Sequence, residues 1–391
     1  MTTSFPDGFL WGSATAAHQI EGGNWNTDWW AFEHAPGTGC VEPSGDACDS
    51  WHRYPEDIAL VRDFGLAAYR FSIEWARIEP EEGEFSRAAI EHYRRVCATC
   101  LDNDIQPVVT FHHFTTPRWM ADHGGWAAPV VVDRFARYCE RAAAGLGDLI
   151  AMACTVNEPN IVSLMGALVG AFPPGHNDMA EYAAMNEHLI AAHRVAVDAI
   201  KAGPGSFPVG QTIAMGDWWA PDGAEETLAR TRHMHEGQFL EASRGDDFVG
   251  VQAYSRTRLD ATGMPLGPEP GVPVVSSMGY EYWPGAAAVA IRHAAQVAGV
   301  PIYMTENGIG TDDDTERIAY VTEALRGVAQ CIDDGIDVRG YFYWSLLDNF
   351  EWALGYEPRY GLVAVDRETF ARAPKPSARW FGTIAATNTV P

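Results

Sequence analysis

With 391 residues, the chain has room for two or three average domains or for one large α/β barrel. Its 52 acidic against 27 basic side chains give a net charge of −25, which excludes the basic patch that nucleic acid or an anionic membrane surface needs in a partner. A hydrophobic share of 47% and 14 tryptophans indicate a sizeable core, with aromatic residues to spare for clefts.

The N-terminal stretch "MTTSFPDGFLWG" lacks the charged and apolar regions of a signal peptide. No apolar run reaches the ~18–20 residues of a membrane span. Short apolar or β-branched runs then alternate with helical stretches: "FLWGSATA", "AAYRFSI", "QPVVTF", "AMACTV", "PVGQTIAM", "FVGVQAY", "PIYMT" and "RGYFYWSL". The segments between them, such as 86–103, 181–202 and 314–335, carry apolar residues at three-to-four spacing and are read as amphipathic helices. Eight strands, each followed by a helix, with no low-complexity linker, predict a single (β/α)8 barrel domain over 1–391. The Pro/Gly-rich segment 261–285 lies between the sixth strand and its helix and is read as a long loop over the barrel mouth.

Cysteines number seven and sit in apolar context, which predicts reduced thiols and a cytoplasmic protein. "CATC" (97–100) falls inside a helical run and reads as core. The series His34, Cys40, Cys48, His52 matches no zinc spacing and reads as loop residues. No cofactor and no metal are expected, and the oligomeric state is left open, a homo-oligomer being allowed.

Chemistry in such barrels sits at the carboxyl ends of the strands. The residues ending the eight runs are, in order, Gln19, Arg70, His113, Glu158, Asp217, Tyr254, Glu306 and Trp344. A ring of polar groups with two acids is hard to read as packing. Glu158 in "TVNEP" and Glu306 in "TENG" share one grammar, an apolar strand, Thr, Glu and a breaker, on strands four and seven, which face each other across the mouth. Two facing carboxylates suit glycosidic cleavage, where one donates a proton and the other meets an oxocarbenium-like centre. A divalent metal held by both acids and His113 is the competing reading, disfavoured by the surrounding Trp and Asn, which suit a neutral, ring-shaped ligand.

The blocks "FLWGSATAAHQIEG", "YRFSIEWARIEP", "VVTFHHFTTP", "TVNEP", "FVGVQAY", "YMTENG" and "YFYWSLLDNFEWALGYEPRYGL" run in one order over essentially the whole chain. In that set the sequence resembles glycoside hydrolase family 1, the β-glucosidase-like retaining enzymes. The resemblance implies that Glu306 is a nucleophile and Glu158 an acid/base, with carboxyls roughly 5–5.5 Å apart. It implies that Arg70 and Tyr254 hold the nucleophile and lower its pKa, while burial and the charge of Glu306 raise that of Glu158. Asn157 is implied to bond the sugar 2-hydroxyl, and Gln19, His113 and Glu351 the 3-, 4- and 6-hydroxyls. Trp344 and Trp352 are implied as platform and wall.

An acid at Glu351, with no lysine in "GYEPRYG", points to unphosphorylated sugars, since a carboxylate repels phosphate. The expected partner is therefore a small β-glycoside: glucosyl first, galactosyl or fucosyl as alternatives. Transglycosylation by the same mechanism and a non-catalytic sugar-binding barrel are the further readings. Phe114, Asn160 and Gln252 depart from the family pattern. Met165, Phe172, His176, Trp218, Trp219 and Trp283 are candidates for the leaving-group side.

Overall fold

The computed structural model describes residues 3–391. Its centre is a closed barrel of eight parallel strands: β1 (Leu10–Ala14), β2 (Ala68–Ser72), β3 (Gln106–His112), β4 (Met152–Asn157), β5 (Val209–Trp219), β6 (Phe248–Leu259), β7 (Ile302–Asn307) and β8 (Val338–Trp344). Each strand pairs with the next, β8 pairs with β1, and β6 pairs with β7 from Val249 opposite Ile302 to Gln252 opposite Glu306. The ring is therefore complete.

Helices cover the outside, so most strands are buried on both faces, and this is why they read as continuous apolar runs rather than alternating ones. Inside the barrel, Leu10, Ala14, Ala68, Val108, Met152, Phe248 and Phe342 belong to one packed cluster. Gly12 makes room for it, because a Cβ there would lie 2.6 Å from the Phe342 ring. Between strands and helices lies the larger core. Helix Val131–Leu146 turns Val131, Phe135, Tyr138, Cys139, Ala142 and Leu146 inward, and Arg87–Asp102 does the same with Tyr93, Val96, Cys97 and Cys100. Helix starts are set by side-chain caps: Ser86 accepts from the Ala89 amide, and Asp178 and Asp313 each accept from two amides.

Two sequence expectations are corrected. Strand β5 does not stop near Met215 but continues to Trp219, and Asp217 bonds the Trp283 indole at 2.9 Å instead of pointing into the barrel mouth. Segment 261–285 is not a plain loop. Pro265–Leu266 pairs with the end of β6, and Val274–Val275 pairs antiparallel with Tyr280–Glu281. Two-residue strands among Gly and Pro leave no periodic signal to read. The segment is anchored by Arg256, whose Nε donates to Glu281 Oε2 at 2.7 Å, and by Ser277, which donates to the Gly310 carbonyl at 2.7 Å.

All seven cysteines are unpaired. His34 stacks on Trp30, Cys48 is buried against the Asp348 carbonyl, and exposed His52 bonds Asp49, so those residues do not converge. Among the described residues, no helix is long and apolar enough to cross a membrane.

Candidate active site

A cavity of about 220 Å³ opens at the carboxyl ends of the strands. Its wall includes Gln19, His113, Glu158, Tyr254, Glu306, Trp344, Glu351 and Trp352, so eight of the ten expected residues share it. The other two, Arg70 and Asn157, lie directly beneath, fully buried. A larger cleft of about 440 Å³ lies at the opposite end, around Gly8, Tyr303 and Arg339. Of its acids, Asp7 and Asp337, the second is paired with Arg339 at 2.7 Å, and the cleft sits at the end where barrels of this kind place stability rather than chemistry.

Glu158 follows β4 directly and takes a left-handed backbone, φ 45° and ψ 58°, which costs a non-glycine residue about 1 kcal/mol. Pro159 then begins a helical turn with its fixed φ, while the Glu158 carbonyl accepts from the Ile161 and Val162 amides. The Glu158 amide is held by the Thr212 carbonyl at 2.8 Å. The Glu158 carboxyl at the strand end is thus turned into the mouth by a bend that the surrounding hydrogen bonds impose. Glu306 sits one residue from the end of β7, where the β6–β7 register is interrupted between Met304 and Glu306. Such an irregularity re-aims a side chain.

The two acids have opposite surroundings. Glu306 Oε1 accepts from Arg70 at 2.5 Å and Gln252 Nε2 at 2.8 Å, and its Oε2 accepts from Tyr254 at 2.7 Å. Burial pushes its carboxyl above the ordinary range, and Arg70, Tyr254 and Gln252 pull it back. The expected lowering is therefore real group by group, but desolvation outweighs it. Glu158 has no side-chain donor among the described residues. Burial first, then the charge of Glu306, pushes it well above the carboxylate range. Of the pair, Glu158 holds the proton and Glu306 the charge.

Asn157 is clamped by three donors to its Oδ1: Arg70 at 2.5 Å, Gln252 at 2.9 Å and Thr212 at 3.0 Å. That leaves Nδ2 to donate, and it meets His113 Nε2 at 3.2 Å. His113 must accept there, so the network assigns its proton to Nδ1. Burial, with Arg70 and His112 nearby, keeps its pKa well below the usual histidine value and the ring neutral. His112 points elsewhere, against Trp126. Gln19 lies not on β1 but in the short helix Ala17–Ile20. Its Nε2 donates to Asn349, to the Phe350 carbonyl and to Glu351, while its buried Oε1 has no protein partner. His113 lies against Trp344 and Trp352, with ring centroids 5.9 and 6.1 Å away and planes within 20°.

Glu351 requires a correction. Burial and the charge of Glu306, offset by Gln19, push its carboxyl up to about 8, so at neutral pH it is largely protonated in the empty site. Charge repulsion by Glu351 is then weak, and rejection of a phosphate rests on the lack of a cation. Among the described residues no Lys or Arg lines the cavity, and Lys375 is held by Asp348 at 2.8 Å. An acid whose folded pKa exceeds its unfolded value opposes folding as pH rises through the interval between them, here roughly 4.5 to 8. Glu351→Gln should therefore raise the melting temperature by about 2–5 °C at pH 8 and leave it unchanged at pH 4. Scanning calorimetry at the two pH values checks this.

Gln252 was visible in the sequence only as a departure. Its Nε2 donates to both Glu306 Oε1 and Asn157 Oδ1. Gln252→Met keeps the shape and removes the donor. The acid limb of the kcat/KM profile should then move to higher pH, since a group that lowers the Glu306 pKa is lost, and kcat/KM should fall about tenfold. Thr212, Met278, Tyr280 and Tyr360 were also missed; isolated Thr and Tyr carry no signal without the fold. Of the leaving-group candidates, only Phe172 lines the cavity, beside Phe114, Ile161 and Met278. Trp218 is tied to Glu236, His176 to Glu181, and Trp219 is solvent-exposed. Asn160 bridges to β5, bonding the Ala214 carbonyl and amide.

The model of Glycosyl hydrolase family 1 matches residues 1–260 and 270–390. The chain belongs to glycosyl hydrolase family 1. Among its family 1 relatives, thermostable beta-glucosidase B of Thermobispora bispora is 36% identical, over 98% of this chain and 91% of its own length. Beta-glucosidase A of Thermotoga maritima is 33% identical over 98% of each. Among solved structures, beta-glycosidase BGL167 is 48% identical with a TM-score of 0.92, covering 99% of this chain and 98% of its own. A beta-glycosidase from Pyrococcus horikoshii is 33% identical with a TM-score of 0.93, covering 100% and 97%. The family 1 chain is thus a glycoside hydrolase, a retaining β-glycosidase, and the covalent route through a glutamate is general to the family.

Proposed function

We propose that Glu306 is the nucleophile and Glu158 the acid/base, and that the substrates are terminal, unphosphorylated β-D-glucosyl residues of small glycosides. The observation that carries the assignment is the contrast between the two acids. One carboxylate receives three donors and the other receives none. Glu306 Oε2, held only by Tyr254, keeps capacity to attack the anomeric carbon while Oε1 stays with Arg70 and Gln252. Glu158 gives its proton to the departing oxygen. Formation of the ester removes the Glu306 charge, so Glu158 loses the field that raised its pKa and can take a proton from water. The same step with a sugar or alcohol in place of water gives transglycosylation.

In this reading Asn157 Nδ2, its Oδ1 already occupied, donates to the 2-hydroxyl, a contact that strengthens in the transition state. Gln19 Oε1, His113 and Glu351 take the 3-, 4- and 6-hydroxyls, and Trp344 and Trp352 bound the ring. A β-galactosyl or β-fucosyl substrate is the second reading. In its favour, the 31% identical β-glucosidase from Thermotoga maritima has been solved in complex with galacto-hydroximolactam. The whole chain works as one catalytic domain, supported by a barrel whose strands run from Leu10 to Trp344 and by terminal strands, Thr3–Ser4 and Thr389–Val390, that pair. Seven unpaired thiols, six of them buried, support a cytoplasmic location.

Hydrolysis of aryl β-glycosides of gluco, galacto, fuco, xylo, manno and 6-phosphogluco configuration tests the substrate class. The glucoside is expected to lead, with the 6-phosphoglucoside near background. A 6-phosphoglucoside turned over faster than the glucoside would sink the reading.

A further inference from the structure

We infer that the phenols of Tyr280 and Tyr360 together bind the exocyclic hydroxymethyl group of the sugar, which makes segment 261–285 part of the glycone pocket. The inference rests on the proposed sugar orientation, with Glu351 at the 4- and 6-hydroxyl end. Both tyrosines line the cavity with Glu351, and their oxygens lie 2.5 Å apart.

Counting protons shows what the pair can do. Two hydroxyls carry two protons, and one is used between them. Neither phenol oxygen has another protein partner among the described residues, so one O–H remains to donate. Burial holds both phenols protonated. Their position is built in. Tyr360 sits edge-on to Tyr254 at 5.8 Å, which places it beside the group that bonds Glu306. Its own carbonyl accepts from the Tyr343 hydroxyl at 2.9 Å. Tyr280 is fixed by its neighbour Glu281, only 2% exposed and paired with Arg256, and by pairing with Val275. A donor held this firmly discriminates by being left unpaired when its partner is missing.

The test compares an aryl β-glucoside with the aryl 6-deoxy-β-glucoside bearing the same leaving group, on wild type, Tyr280→Phe and Tyr360→Phe. The substitutions keep both rings and remove one hydroxyl each. Each variant should lose about tenfold in kcat/KM on the glucoside and stay within about twofold on the 6-deoxy substrate, so the ratio collapses. An equal fall on both substrates would make the pair merely structural, and no change on either would remove it from the site. Both results overturn the inference. A wild type that cleaves neither substrate contradicts the proposed function as well.

Discussion

Glu306→Gln should lower turnover of an aryl β-glucoside by at least about 10⁴-fold, whatever the leaving group. The amide is nearly isosteric: with its oxygen toward Arg70 and Gln252, its NH2 faces the Tyr254 hydroxyl, which can accept, so the fold is not asked to change. What disappears is the charge that attacks the anomeric carbon. The variant should also reverse the electrostatics of its partner. Without the negative charge that is the second cause of its raised pKa, Glu158 should titrate at lower pH. Burial, the first cause, remains, so the shift is partial. Loss of activity with unchanged substrate binding and a lowered Glu158 pKa, read by carboxyl-resolved NMR, is the expected combination. Retention of more than a few per cent of wild-type turnover would remove Glu306 from the nucleophile role.

Glu158→Ala has the second largest expected effect, and its pattern is more informative than its size. Loss of the proton donor should slow cleavage of poorly activated glycosides by about 10²–10⁴-fold. A highly activated phenol needs no proton to depart, so the first step on it should be nearly spared, while the second step, which needs a base, becomes limiting. Azide, an anion that needs no base, should restore turnover and give a β-configured glycosyl azide, because it attacks the same face as water. An α-configured azide would mean that Glu306 never held the sugar. The pH profile should lose its alkaline limb together with the group. Because Glu158 has no side-chain hydrogen bond among the described residues, its removal breaks no network, and stability should change little.

How much of this was legible before the fold was known can be judged residue by residue. The barrel was readable because its strands are short, apolar and separated by periodic helices, and "TVNEP" and "TENG" announce a strand, an acid and a breaker. Gln19 was placed at the right site for the wrong local reason. It belongs to the short helix Ala17–Ile20, and the apolar run in front of it hid the change of element. Asp217 failed because β5 runs on past the mouth. A sequence pattern marks where an apolar run weakens, not where pairing stops. Glu351 was recognised as an acid, but its protonation depends on burial and on Glu306, neither of which is local in sequence. Gln252 illustrates the same limit. Its role consists of two hydrogen bonds to residues 54 and 95 positions away, so only the closed barrel reveals it. The wall contributed by Met278 and Tyr280 was invisible for the opposite reason: the segment looks like a linker, and its order comes from a buried Arg256–Glu281 pair rather than from periodicity.

In the proposed reaction one carboxylate, Glu306, carries the sugar from the first step to the second. Peptide mapping by mass spectrometry, after inactivation with an activated 2-deoxy-2-fluoro-β-glucoside, tests it directly, because the fluorine slows both formation and breakdown of the ester while the activated leaving group restores formation alone. The glycosyl mass should appear on the peptide containing Tyr303–Gly308, at Glu306, and be absent from the Glu306→Gln variant. A label on Glu158, or on any other residue, would contradict the account.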